Sequence, residues 1–243
     1  MPNSEKCAVI VGASSGIGEA LARQLHQAGW RLGVMARREE RLAAIAAELK
    51  GSVSTSYIDV SRDDCAQRFE AMLATLGGAD LVIISAGAGH LNAQHDMALD
   101  QETIAVNVHG FMTIAETAFL HFQQRGRGHL AAITSIAALR GNAKASAYAA
   151  SKAFQSVYLD GLRESARNTQ LPITITELQP GFVDTDMMKT ATPLPALIRS
   201  LFVSDTAKAA SQMLRAISRK RKHAYITRRY APIAWLLRIF PRP

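Results

Sequence analysis

A short apolar run, Cys7–Val11, leads directly into Gly12-Ala13-Ser14-Ser15-Gly16-Ile17-Gly18 and then into an amphipathic stretch ending near Gly29. Five consecutive apolar residues read as a strand buried on both faces. The glycines permit a tight turn and let another molecule approach the main chain. The helix that follows offers free N–H groups at its first turn, which suits a pyrophosphate. Strand, glycine-rich turn and helix in that order are the opening unit of a dinucleotide-binding sheet.

The alternation continues along the 243 residues. Arg31–Ala36 reads as a second strand, and Ser52–Ile58 as a third, leading into Asp59-Val60. Ser61–Leu76 is expected to be helical with Ser61 as its N-cap. Asp80–Ser85 is a fourth strand ending in Ala86-Gly87, followed by a long helical pattern to about Gln124 that carries Asn107. His129–Thr134 and Ile173–Gln179 are further strands, with a helix through about Arg167 between them. A helix over Asp205–Ser218 and a strand over His223–Thr227 close the series. Strands alternating with helices of this length predict one α/β domain over residues 1–227, a single Rossmann-type doubly wound parallel sheet of about seven strands flanked by helices. Right-handed crossovers then put the strand ends, and any ligand, along one edge. Residues 228–243 remain as a C-terminal tail.

Thr134–Lys152 (TSIAALRGNAKASAYAASK) carries the chemistry. Tyr148 and Lys152 are four apart, so a helix puts both on one face. A free tyrosine has a pKa of about 10, and a neighbouring ammonium favours its phenolate. Ser135, just beyond a buried strand, can face Tyr148 and hold a carbonyl or alcohol oxygen between the two hydroxyls. Taken alone, a Tyr-x-x-x-Lys pair is better explained by a solvated lysine beside a packed ring.

The second strand ends in Arg37-Arg38, and the nearest acids, Glu39 and Glu40, fall on the next helix. An acid at the strand end would bind a ribose 2′-hydroxyl, whereas arginine accommodates a 2′-phosphate. The expected cofactor is therefore NADP(H), held mainly by Arg37 with Ser14 and Arg38 assisting. The other reading makes both arginines solvated residues at a helix start.

Cys7 and Cys65 form no metal-spaced cluster, so free thiols in a reducing, cytoplasmic compartment are expected. Neither a secretory leader nor a spanning helix is read in the chain. The net charge of +8 is uneven: nine of the 28 basic residues and none of the 20 acidic ones lie beyond residue 214. The body is near neutral, which argues against a nucleic-acid-binding surface there. Asp186–Ser204 carries an apolar LPALIRSLF over a strand end, either a mobile lid or an ordinary connection. Residues 228–240 (RRYAPIAWLLRIF) set an apolar block between basic residues. Two readings stay open: packing on its own subunit or a partner, and peripheral contact with an anionic membrane.

With these pieces in place, residues 6–227 resemble the short-chain dehydrogenase/reductase family. Gly12, Gly16 and Gly18 fit its cofactor turn, and Asp59 falls where that family contacts adenine. Asn107, Ser135, Tyr148 and Lys152 fit its catalytic tetrad. Pro180-Gly181-Phe182-Val183-Asp184-Thr185 fits the loop at the nicotinamide end, through Pro180, Gly181, Val183 and Thr185. The resemblance implies hydride exchange between a nicotinamide and a small-molecule carbonyl/alcohol substrate, in a homo-oligomer. Tyr148 would exchange the proton, Lys152 would bind the nicotinamide ribose, Ser135 would orient the substrate, and Asn107 would hold a water of a proton relay. Two departures stand out: Val11 where the family has threonine, and Ile84-Ser85-Ala86-Gly87 where it has Asn-Asn-Ala-Gly. We read these as altered sheet packing, because losing polar groups on both strands together leaves none stranded. A cofactor-binding sensor or surface-tethered module without turnover is the alternative to an enzyme.

Overall fold

The computed structural model describes residues 6–189, 203–227 and 229–239. Seven strands form one parallel sheet: β1 (Cys7–Val11), β2 (Arg31–Ala36), β3 (Val53–Tyr57), β4 (Leu81–Ile84), β5 (Gly128–Ile133), β6 (Ile173–Pro180) and β7 (His223–Ile226). Their order is β3-β2-β1-β4-β5-β6-β7. The chain works outward from β1 to β3, returns across the sheet to β4, and works outward again to β7. The reversal between β1 and β4 opens a crevice at their carboxyl ends, the usual ligand position in such sheets.

Side chains of each strand alternate between two cores. Cys7, Val9 and Val11 join Phe69 and Met72 of α3 (Cys65–Thr75), Ile114 and Phe122 of α5 (Phe111–Arg125), and Leu159 of α6 (Ser146–Thr169). Ala8 and Ile10 face the other way, onto Leu21 of α1 (Gly16–Gln27), Leu42 of α2 (Glu39–Leu49) and Met213 of α8 (Thr206–Ser218). Burying a side chain such as Phe69 or Ile10 contributes roughly 1.5–3 kcal/mol. The two-sided core explains why these strands read as continuous apolar runs rather than alternating ones.

The departures at Val11 and Ile84 belong to this packing. Both are buried, and the strand ends are tied by main chain instead: the N–H groups of Ser85 and Ala86 both donate to the Val11 carbonyl at 2.8 Å.

Several boundaries differ from the sequence reading. The third helix starts at Cys65 with Asp64 as N-cap, not at Ser61. Ser61 instead donates its N–H and hydroxyl to Asp59 Oδ1, at 3.0 and 2.7 Å. Such a local side-chain turn competes with helix initiation. After β4, residues 85–96 are a loop, and α4 (Met97–Ile104) begins where Asp96 accepts from the Ala98 N–H at 2.9 Å. Between α4 and α5 the helix widens into a π turn over Ala105–Gly110, with Asn107 inside it. The proposed lid falls largely on residues 190–202, outside the described residues. Its flanks are α7 (Asp186–Lys189) and a bridge between Val183 and Ser204. The tail forms α9 (Tyr230–Ile239), with Tyr230 and Ala234 buried and Trp235 and Leu236 exposed. No described helix is long and apolar enough to cross a membrane.

Candidate active site

A cleft of about 1,090 Å³ runs along the carboxyl edge of the sheet. Its lining includes Ser14, Ser15, Gly16 and Ile17 of the first turn, Arg37 and Arg38 after β2, Asp59 and Val60 after β3, and Ala86 and Gly87 after β4. Ser135, Tyr148 and Lys152 lie on it as well, with Pro180, Gly181, Val183 and Thr185 after β6. Residues far apart in sequence therefore meet because every parallel strand ends on this edge.

Gly12 lines the same cleft with φ +91°. A Cβ on it would lie 2.4 Å from the Ala86 nitrogen, so only glycine fits between the β1 and β4 ends. Two residues assigned from sequence do not line the cleft. Gly18 is packed behind the turn, against the Gly12 carbonyl, and Asn107 is fully buried behind Lys152. The Arg38 guanidinium reaches back over the turn, donating to Ser14 Oγ at 3.1 Å and Ser15 Oγ at 2.5 Å. Arg37 is solvent-exposed at the cleft wall. Arg38, not Arg37, is the arginine fixed against the turn.

Ser135 caps a 3₁₀ turn over Ile136–Leu139, its Oγ accepting from the Ala137 N–H at 3.1 Å. The Tyr148 phenol and the Ser135 hydroxyl line the same cleft. Burial pushes the Tyr148 pKa up, and the nearby Ser135 hydroxyl opposes this only partly. Lys152 Nζ lies 5.7 Å from the Tyr148 ring centroid and donates to the Ile133 carbonyl at 3.2 Å and Gln155 Oε1 at 3.0 Å. Burial of this ammonium lowers its pKa to about 8. The sequence reading had the ammonium bring the phenol down; in the structure burial dominates both groups.

Asn107 uses its carboxamide on the backbone and on α6. Oδ1 accepts from the Ala88 N–H at 2.9 Å, while Nδ2 donates to the Ala88 carbonyl at 2.7 Å and Ser151 Oγ at 3.0 Å. Its main-chain carbonyl accepts from Gln155 Nε2 at 2.9 Å.

The sequence reading passed over three supporting features. Gln155 is one, and its place seven residues after Tyr148 on the same helix face was a signal available in the sequence. The second is Glu177, buried beneath the site. It accepts from Thr134 Oγ1 at 2.8 Å and Gln179 Nε2 at 2.9 Å, and pairs with His223 Nδ1 at 2.7 Å and with Ser156. Burial works to raise its pKa, but the bonds from His223, Ser156 and Thr134 outweigh it and hold the carboxyl below its usual range. This network fixes Thr134, and so the strand end that presents Ser135. The third is Tyr230 of α9, whose hydroxyl accepts from the Phe182 N–H at 3.1 Å. Its ring fills the space a Cβ would need at Gly181, 2.0 Å from that position. Neither feature could be read locally, because each joins segments distant in sequence.

The cleft is also walled by His90, Leu91, Ile136, Arg140, Phe182 and Met188. Among the described residues, no group of three or more His, Cys, Asp or Glu could hold a metal ion.

Comparison with known proteins gives a consistent picture. The model of a family described as short chain dehydrogenase matches residues 6–194. An uncharacterized oxidoreductase of Myxococcus xanthus is 31% identical over 99% of this chain and 94% of its own length. An alcohol dehydrogenase of Thermococcus sibiricus, solved with 5-hydroxy-NADP, is 25% identical with a TM-score of 0.80, covering 91% of this chain and 96% of its own. A 3-ketoacyl-(acyl-carrier-protein) reductase of Brucella melitensis, solved with NADH, shares the fold at a TM-score of 0.82 and 20% identity, over 91% of this chain and 96% of its own.

Proposed function

The chain belongs to the short chain dehydrogenase family, and we propose that it is an NADP-dependent reductase of a hydrophobic aldehyde or ketone. One observation carries this: Ser135, Tyr148 and Lys152 converge on the same cleft as a glycine-rich turn overlaid by Arg38. The cradle fits a dinucleotide, because the glycine-rich turn and the first residues of α1, Gly16 and Ile17, line the cleft with main chain at a helix N-terminus. Bound there, the nicotinamide would exchange a hydride with the substrate carbon. Gly12 through Ile17 would hold the pyrophosphate, Asp59 and Val60 the adenine, and Pro180, Gly181, Val183 and Thr185 the nicotinamide end.

Tyr148 keeps its proton at neutral pH, since burial raises its pKa. It therefore stands ready as an acid toward a carbonyl oxygen, which favours reduction. Ser135 fixes the direction of that phenol and offers a second donor to the same oxygen. The Lys152 ammonium stabilises the phenolate left behind and binds ribose hydroxyls. Apolar residues of the cleft wall, including Leu91, Ile136 and Phe182, support a hydrophobic substrate.

In this reading residues 1–227 are the catalytic domain. Val157 is 72% exposed on α6, and Met112 and Leu120 are exposed on α5, which supports a homo-oligomer joined through these helices. Two buried cysteines outside any disulfide, Cys7 and Cys65, suit the cytoplasm. Any contact with an anionic membrane would use Trp235 and Leu236 on the outer face of α9.

The cofactor preference is tested at the arginines. A charge-assisted bond to the 2′-phosphate contributes about 1.5–3 kcal/mol, roughly one to two decades in preference. Arg38→Asp is expected to lower or reverse the NADPH/NADH ratio of kcat/KM, and Arg37→Asp, at the exposed wall, to lower it less. Wild-type protein that uses NADH and NADPH equally would overturn the assignment.

A further inference from the structure

Tyr148, Lys152 and Gln155 stand at positions i, i+4 and i+7 of α6, and Gln155 is fully buried. Its carboxamide makes two bonds of opposite sense. Nε2 donates to the Asn107 main-chain carbonyl at 2.9 Å, and Oε1 accepts from Lys152 Nζ at 3.0 Å. Chemistry alone sets this orientation: a carbonyl can only accept and an ammonium can only donate, so the amide cannot be flipped. The Asn107 carbonyl lies in the π turn over Ala105–Gly110, where the widened ladder gives it a partner outside its own helix. A buried amide is costly unless both ends are paired, and a leucine would fill the space without that cost. The polar residue therefore has work beyond packing.

We propose that Gln155 is a positioning residue that, anchored on the Asn107 main-chain carbonyl, holds the Lys152 ammonium charged and aimed at the cleft. This rests on the reading of Lys152 as a catalytic residue. An ammonium has three donors. The Ile133 carbonyl and Gln155 Oε1 take two of them, which leaves the third for the cleft that Lys152 lines. The groups facing Nζ are neutral: Gln155 on its own helix, the Ile133 carbonyl from β5, Asn107 from the π turn and Gly87 after β4. The titratable neighbour is Tyr148. Burial already brings the ammonium down to about 8, so each neutral acceptor matters to its charge near neutral pH.

The test is the pH profile of kcat/KM for NADPH-dependent carbonyl reduction, in wild type and two variants. The wild type is expected to lose activity on the alkaline side as Lys152 loses its proton. In Gln155→Met one acceptor disappears, Lys152 deprotonates more easily, and this limb is expected to move about one pH unit toward neutrality. Gln155→Ala leaves room for a water to span the same two groups. It should keep the limb near its wild-type position, although it removes more volume and lowers the thermal midpoint further. A residue that only fills space would give the reverse order, with the methionine variant like wild type and the alanine variant worse in every respect. That result would overturn the proposal.

A measurement on the wild type needs neither a variant nor turnover. The Gln155 side-chain amide signals in ¹⁵N-labelled protein are expected to shift through the Lys152 titration. Signals that stay fixed through it would overturn the bridge. Absence of hydride transfer at every pH, with the amide shift present, would instead count against the reductase reading and leave the bridge standing.

Discussion

Replacing Tyr148 by phenylalanine is expected to lower turnover by about 10²–10⁴-fold, the usual worth of a positioned acid, while NADPH affinity stays nearly unchanged. The substitution removes one oxygen and keeps the ring. The rest of the site should hold, because Ser135 is fixed by its own bond from the Ala137 N–H and Lys152 by Ile133 and Gln155. The deficit should therefore appear in kcat, with KM for cofactor little changed. A phenylalanine variant that kept most of its activity on a true substrate would remove Tyr148 from the acid role.

Lys152→Ala should differ in kind. In the proposed mechanism it removes the charge that would stabilise the phenolate, so turnover is expected to fall by a similar 10²–10⁴-fold. On the same reading it also removes a charged donor to the ribose, worth about 1.5–3 kcal/mol, so NADPH should bind roughly one to two decades more weakly. The joint loss is the signature. A variant with intact NADPH affinity would show that the ammonium does not reach the cofactor. The buried partners sharpen the expectation, since removing Lys152 leaves Gln155 Oε1 and the Ile133 carbonyl without their donor. The alanine variant should also lose stability for that reason, and thermal melts would separate this loss from the kinetic one.

The fold was legible in the sequence wherever one strand's own composition decided it. β1 and β2 come out with the bounds read from their apolar runs, because a strand buried on both faces has no polar residue inside it to blur its ends. The start of α3 was misplaced because Ser61 looked like a helix cap, while Asp59 two residues earlier competes for the same hydroxyl. The π turn at Asn107 was invisible, since one widened turn leaves the apolar pattern on either side almost unchanged. The Tyr148–Lys152 pair was readable from helical spacing, and one more step of that spacing reaches Gln155. The carboxylate of Glu177 could not be found this way. Its partners His223, Ser156 and Thr134 come from three other elements, and only the sheet order brings them together.

The placement of the two arginines shows a similar limit. Sequence placed Arg37 at the strand end and made it the main contact. In the structure Arg38 is the one tied to Ser14 and Ser15, so its charge is already positioned over the turn, while Arg37 is exposed on the wall. Position along a strand does not reveal which of two adjacent side chains turns inward.

The central claim is that this cleft transfers a hydride to a carbonyl. The most direct measurement follows deuterium from NADPH labelled at the reactive nicotinamide carbon into products, across a panel of aldehydes, ketones and diketones. The account predicts deuterium on the former carbonyl carbon of at least one hydrophobic substrate, and its loss in Tyr148→Phe. Tight NADPH binding with no deuterium in any product across the panel would contradict it and leave a protein that binds the cofactor without turning it over.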